Sequence, residues 1–145
     1  MKPSVYRKRL LALADFLDEL DPNRFDYKVW VGYNGQMTWE DGMEAFQDCG
    51  TTACALGWAC TMPKFRKLGL DLNSGVPTLK GVQGAFPAAA NLFGLTDAES
   101  YYLFEPSNYP PRAAASALSK GPSGLSTPKD VAAHLRKFAD WKWEQ

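Results

Sequence analysis

The residues most able to do chemistry sit in one short stretch, Asp48-Cys49-Gly50-Thr51-Thr52-Ala53-Cys54, directly before a run that reads as a helix. The amino end of a helix offers unpaired backbone N–H groups and roughly half a positive charge. Gly50 lets a ligand approach the backbone, and the Thr51 and Thr52 hydroxyls add donors, which together suit a phosphate or a carboxylate. The plainer alternative is that Thr51 or Thr52 caps the helix while Gly50 makes the turn. No Lys or Arg occurs between Val29 and Pro63, and Asp48 has the wrong sign. An anion held there therefore needs a cation from elsewhere in the chain.

Cys49 has a second use, because a thiol at a helix amino end ionises more readily and becomes a nucleophile. Its base would be His134, the single histidine, whose spacing on the last helix puts it near the edge of the apolar stripe and partly exposed. The local signatures of papain-like and caspase-like enzymes are missing. Zinc is disfavoured, since the C-x4-C-x5-C spacing of Cys49, Cys54 and Cys60 matches no common zinc module. Cys54 and Cys60 read as small buried apolar residues. No metal and no cofactor is expected.

Aromatic residues form the other candidate surface. Trp30, Trp39, Trp141 and Trp143, with Tyr33, Tyr101, Tyr102 and Tyr109, exceed what one small core needs. Trp30 falls on the polar phase of its strand and Trp143 lies beyond the apolar stripe of its helix. Exposed rings suit a protein partner or a planar ligand; a satellite cluster covering a hairpin is the alternative. The sequence-level site is thus Cys49, Gly50, Thr51 and Thr52 with Trp30 and Trp39. The acidic residues Glu40, Asp41, Glu44 and Asp48 beside it would attract a basic partner or form a solvated face.

Several elements must position these groups. Leu10, Leu13, Ala14, Leu17 and Leu20 recur at helical spacing, predicting a first helix over 4–20 with Ser4 as its cap. Its basic start and acidic end oppose the helix dipole, so packing must hold it. Alternation over 25–33 predicts a strand, Asn34-Gly35 a two-residue hairpin turn, and 36–39 the returning strand. Residues 49–63 carry no charged side chain, and 52–60 is apolar around its circumference, predicting a buried central helix. A short amphipathic segment over 63–68 ends at Gly69.

Residues 71–84 are rich in Gly, Pro, Ser and Asn and read as a loop. A helix over 85–93 ends at Gly94, and Thr96-Asp97-Ala98-Glu99 is a capping box opening another helix through Phe104. Residues 106–128 are loop-rich around a small helix at 113–118. Thr127 or Ser126 caps a last helix with Pro128 near its start and Val131, Leu135, Phe138 and Trp141 on its apolar face. The helices before and after Gly94 have helix-turn-helix spacing, but the second presents Asp97, Glu99, Ser100, Tyr101 and Tyr102, which DNA would repel.

At 145 residues the chain reads as a single domain, 1–145, of helix-rich α+β class, with a β-hairpin packed around the buried helix. Sixteen basic and sixteen acidic residues cancel, arguing against a general nucleic-acid or membrane-surface binder. The 46% apolar fraction argues against disorder. Nothing at the amino end reads as a signal peptide, no apolar run approaches a membrane span, and three cysteines make no disulfide scaffold. A cytoplasmic protein is expected.

The segment Cys49-Gly50-Thr51-Thr52-Ala53-Cys54-Ala55-Leu56-Gly57-Trp58-Ala59 resembles a C-G-T-x-x-C-x-x-G-W-A segment of small phage and bacterial proteins. In those proteins an amino-terminal helix and a segment like Arg24-Phe25-Asp26 come first. Phe93-Gly94-Leu95 and Tyr102-Leu103-Phe104 also have counterparts. Cys60 and residues 121–127 are not part of that pattern. The resemblance implies a phage or prophage origin and brings no catalytic residues. A non-enzymatic inhibitor of host defence follows as the leading expectation: a protein, in the host cytoplasm if phage-encoded, that sequesters or blocks a host protein or a small anionic, nucleotide-like signalling molecule. A cysteine-dependent hydrolase or transferase using Cys49 with His134, and a structural or assembly protein, are the alternatives. A homo-oligomer stays open.

Overall fold

The computed structural model describes residues 2–25, 32–33, 36–37, 51–73, 75–81, 83–104 and 127–143. The chain is a helix-rich α+β protein. Helix α1 (Pro3–Glu19) buries Leu10, Leu13, Ala14 and Leu17 as their spacing requires. Its cap differs from expectation: Lys2 is the N-cap and Pro3 the first helical residue, a position where the missing N–H costs nothing. Ser4 lies inside the helix. Asp21 accepts from Asn23 N at 2.9 Å and opens a short 3-10 turn (Pro22–Arg24) that ends α1's run.

Strands β1 (Gly32–Tyr33) and β2 (Gln36–Met37) pair antiparallel with Tyr33 opposite Gln36, leaving two residues to connect them, as Asn34-Gly35 foretells. A third strand, β3 (Thr51–Thr52), pairs with β1 to give the order β2-β1-β3. The threonines therefore do not open a helix. β-branched side chains suit a strand, and the chain stays extended through Ala53, whose N–H donates to Arg24 O at 3.2 Å beside a parallel bridge to Phe25.

The central helix is correspondingly shorter than 52–60. Helix α2 (Ala55–Ala59) starts after Cys54, and each of its five residues is buried. Trp58 spans from core to backbone, its indole N–H donating to Arg24 O at 2.9 Å while the Arg24 guanidinium lies 5.1 Å over its ring. Helix α3 (Pro63–Arg66) follows, and the positive φ of Gly69 (+102°) turns the chain into a second sheet.

That sheet corrects the loop reading of 71–84. Strands β4 (Leu70–Asn73), β5 (Val76–Leu79) and β6 (Gln83–Gly84) form an antiparallel meander in that order. Leu70 and Leu72 face the core, while Gly75 (φ +78°), Lys80 (φ +57°) and Gly81 (φ +70°) make the turns. Pro77 is tolerated in the middle strand because β6 ends at Gly84. The next residue, Ala85, donates to Pro77 O at 2.8 Å and gives its own carbonyl to the first turn of the following helix, so the missing N–H of Pro77 leaves Ala85 O with donors of its own.

Helices α4 (Phe86–Phe93) and α5 (Asp97–Phe104) form a hairpin about Gly94 in the left-handed region (φ +65°). Leu95 N–H donates to Ala90 O at 2.8 Å, the six-to-one bond of a Schellman cap. The capping box forms as read: Thr96 N donates to Glu99 Oε1 at 2.9 Å and Glu99 N to Thr96 Oγ1 at 3.1 Å. Ser100, wholly buried, donates to Phe86 O at 2.8 Å and locks the hairpin.

Helix α6 (Pro128–Trp143) opens at Thr127, whose hydroxyl accepts from Asp130 N at 3.2 Å. It lies along α1, burying Val131, Ala132, Leu135 and Ala139. Outside the packed seam, Arg136 reaches Asp15 (2.8 Å) and Asp18, and Arg7 reaches Asp140 (3.1 Å). Arg136 thus supplies the cation that the acidic carboxyl end of α1 lacks.

Candidate functional site

Of the site read from sequence, Cys49, Gly50, Trp30 and Trp39 lie outside the described residues, as do Asp48, the acidic residues 40, 41 and 44, Tyr109 and the helix at 113–118. Thr51 and Thr52 are placed by their backbone in β3, three residues or more before α2 begins. The anion cradle drawn from a helix amino end therefore has no helix at that point.

The described cysteines behave as apolar residues. Cys54 and Cys60 are buried free thiols. Cys60 Sγ lies 3.5 Å from Leu56 O, and burial, with Cys54 and Asp71 adding to it, pushes its pKa well up. A thiol so placed stays protonated and unreactive.

A different cluster comes together between α5 and α6. A groove of about 600 Å³ is lined by Ala98, Glu99 and Tyr102 from α5 and by His134, Lys137, Phe138 and Trp141 from α6. The α6 residues fall at i, i+3, i+4 and i+7, one continuous helical face, and Ala98 with Tyr102 stand one turn apart on α5. The two helices run antiparallel here, since Tyr102 meets His134 while Glu99 pairs with Lys142 near the end of α6. The groove exists because α5 is apolar on two sides. Leu103 and Phe104 face the core, whereas Tyr101 and Tyr102 remain nearly half exposed.

His134 is buried, contrary to the partly exposed position inferred from its helical phase. Tyr102 covers its ring at 5.0 Å, and Nε2 lies 3.5 Å from the Tyr102 carbonyl oxygen, the long limit of a hydrogen bond. A carbonyl only accepts, so in that contact Nε2 is the donor. Burial holds the pKa of His134 below its ordinary value; the Tyr102 carbonyl opposes this and nearby Lys137 reinforces it. The imidazole is neutral at pH 7.

Glu99 is charged and compensated. Burial works to raise its pKa, but the ion pair with Lys142 and the bonds from Thr96 outweigh it and hold the carboxyl below its usual range. Trp141, expected on the buried face, is 61% exposed and leans on Phe138 at 5.5 Å. Trp143, expected to be exposed, packs edge-on against Phe138 at 6.3 Å.

The described lining thus offers ring surfaces, the Lys137 ammonium group, a neutral imidazole and the Glu99 carboxylate compensated by Lys142. It holds no described sulfur, and no group of three or more metal-ligating side chains occurs among the described residues. No described helix is long and apolar enough to cross a membrane. Sequence reasoning missed the groove, though its signal was present as a second stripe, 134-137-138-141, beside the core stripe of α6. The chain matches no protein-family model, no curated protein and no solved structure.

Proposed function

We propose that this chain is a non-enzymatic binding protein that sequesters or blocks its target, and that the groove between α5 and α6 is its recognition surface. The observation carrying this reading is the pairing of exposed Tyr102 and Trp141 over a concave floor formed by Phe138 and His134. Exposed rings around a recess lose little rotamer freedom on binding and contribute much contact area. The volume lies within the range of about 300–1,000 Å³ typical of ligand sites. The phage-like Cys49–Ala59 segment supports a target within a bacterial host. Against catalysis by the described thiols stands Cys60, which burial keeps protonated.

Native mass spectrometry of the protein purified from the cells that produce it tests the reading. A co-purifying species is expected with the natural sequence and is expected to disappear from the Tyr102→Ala/Trp141→Ala double variant. Retention of the same species by the double variant removes the groove from the proposal, and no bound species at all removes the binding function.

A further inference from the structure

We infer that the groove between α5 and α6 takes a planar aromatic anion, its ring lying against Trp141 and Tyr102 and its negative group facing Lys137. This rests on the binding reading above and specifies its ligand. The walls are aromatic: Tyr102 and Phe138 centroids lie 6.1 Å apart at 40°, and Phe138 and Trp141 5.5 Å apart at 49°. Neither pair is stacked face to face, and Trp141 keeps most of its surface open to solvent. A flat ring added there gains contact with the solvent-exposed area of the Tyr102 and Trp141 rings.

Charge decides the sign of the occupant. Glu99 is neutralised by Lys142, and His134 is neutral because it is buried. Among the described residues the neighbouring carboxylates do not contribute to the lining: Asp140 pairs with Arg7, and Asp97, in the first turn of α5, lies outside it. Lys137 is exposed, has no ion-pair partner among the described residues, and carries the one uncompensated charge among the described lining residues. A cationic occupant would meet Lys137 unfavourably. A neutral one would leave the ammonium solvated and unused.

Three isosteric probes separate these cases: 1-naphthoate, neutral 1-naphthamide and cationic 1-naphthylmethylamine, titrated into the full chain and followed by NMR. The indole N–H of Trp141 and the ring protons of His134 are the reporters. Naphthoate is expected to bind most tightly and the amine most weakly. Lys137→Gln should weaken naphthoate about three- to fivefold, the scale of an exposed ion pair, and leave naphthamide unchanged. Trp141→Ala should weaken naphthoate and naphthamide alike by about tenfold or more. Both substitutions are at exposed positions, and an unchanged melting temperature certifies the fold. Equal affinity for all three probes, or tighter binding of the amine, overturns the inference. So does a Trp141 signal that none of them moves. If the probes fail while a co-purifying protein is lost from the double variant, the ligand class falls and the binding function stands.

Discussion

Gly94 adopts φ +65°, and a β-carbon built there would run into the Tyr6 ring of α1. Gly81 has a similar φ (+70°), yet a β-carbon there meets nothing within 4 Å. Gly81→Ala should cost about 1 kcal/mol, the left-handed penalty alone. Gly94→Ala should cost at least about 1 kcal/mol more, because the packed ring must shift. Equal losses in denaturant titration would mean that Tyr6 moves aside freely. Ala85 presents the converse case. It sits at φ +57°, ψ −129° before α4, a conformation that glycine adopts without strain. Ala85→Gly should therefore stabilise the protein by about 1 kcal/mol, read as a raised melting temperature. His134 adds a pH dependence with a defined sign. The unfolded chain binds its proton near the ordinary value, 6.5, while the folded protein resists protonation. The unfolded state holds more protons in that window, so the contribution is complete above pH 6.5 and is lost as pH falls through the lowered folded value. The melting temperature should drop between pH 7.5 and 5.5, and His134→Gln should flatten that drop. Glu99 and Asp18, also held low, act only below their ordinary values of 4.5 and 3.8.

The pairing of α1 with α6 shows which interactions carry an element. Leu10, Leu13 and Leu135 are fully buried along that pairing, whereas Arg136 pairs with the exposed Asp15 and the partly exposed Asp18. Leu13→Ala should cost about 2–5 kcal/mol by leaving a cavity. Arg136→Ala should cost about 1 kcal/mol or less, and that difference should shrink in high salt. A larger effect from Arg136 would show that the ion pairs, not the leucine stripe, hold α6. The leucine stripe, the capping box and Gly94 were all legible in the sequence, because each depends on residues no more than a turn or two apart. The meander over Leu70–Gly84 was not, since Gly75, Pro77 and Gly81 read as loop residues when the strands' cross-strand partners are unknown. Thr51 and Thr52 were misplaced for the same reason: an apolar run ahead of them favoured helix, and the strand they join, Gly32–Tyr33, lies about twenty residues earlier. The groove was legible only in half. Its α6 stripe can be read from spacing, but its depth depends on α5 crossing at Tyr102, which the sequence does not fix.

Across the molecule, the described aromatic residues include two contrasting sets. Phe65, Phe93 and Phe104 form a buried chain, with Phe65 edge-on to Phe93 at 5.5 Å and Phe93 stacked on Phe104 at 5.7 Å. Tyr101, Tyr102 and Trp141 stand outside it on α5 and α6, with Tyr101 stacked on Phe86 at 4.4 Å. If the outer rings served stability, truncating them would cost as core residues do. If they serve recognition, stability and binding should separate. Phe138, buried beneath the groove, belongs to both sets, and Phe138→Ala should cost about 3–5 kcal/mol. Trp141→Ala removes a larger side chain, yet at 61% exposure it should change stability by no more than about 0.5 kcal/mol. Chemical denaturation of the two variants measures the contrast directly. A Trp141 variant as damaged as the Phe138 variant would make the outer rings part of the fold's support, and the groove would then be a by-product of packing, with no call on a ligand.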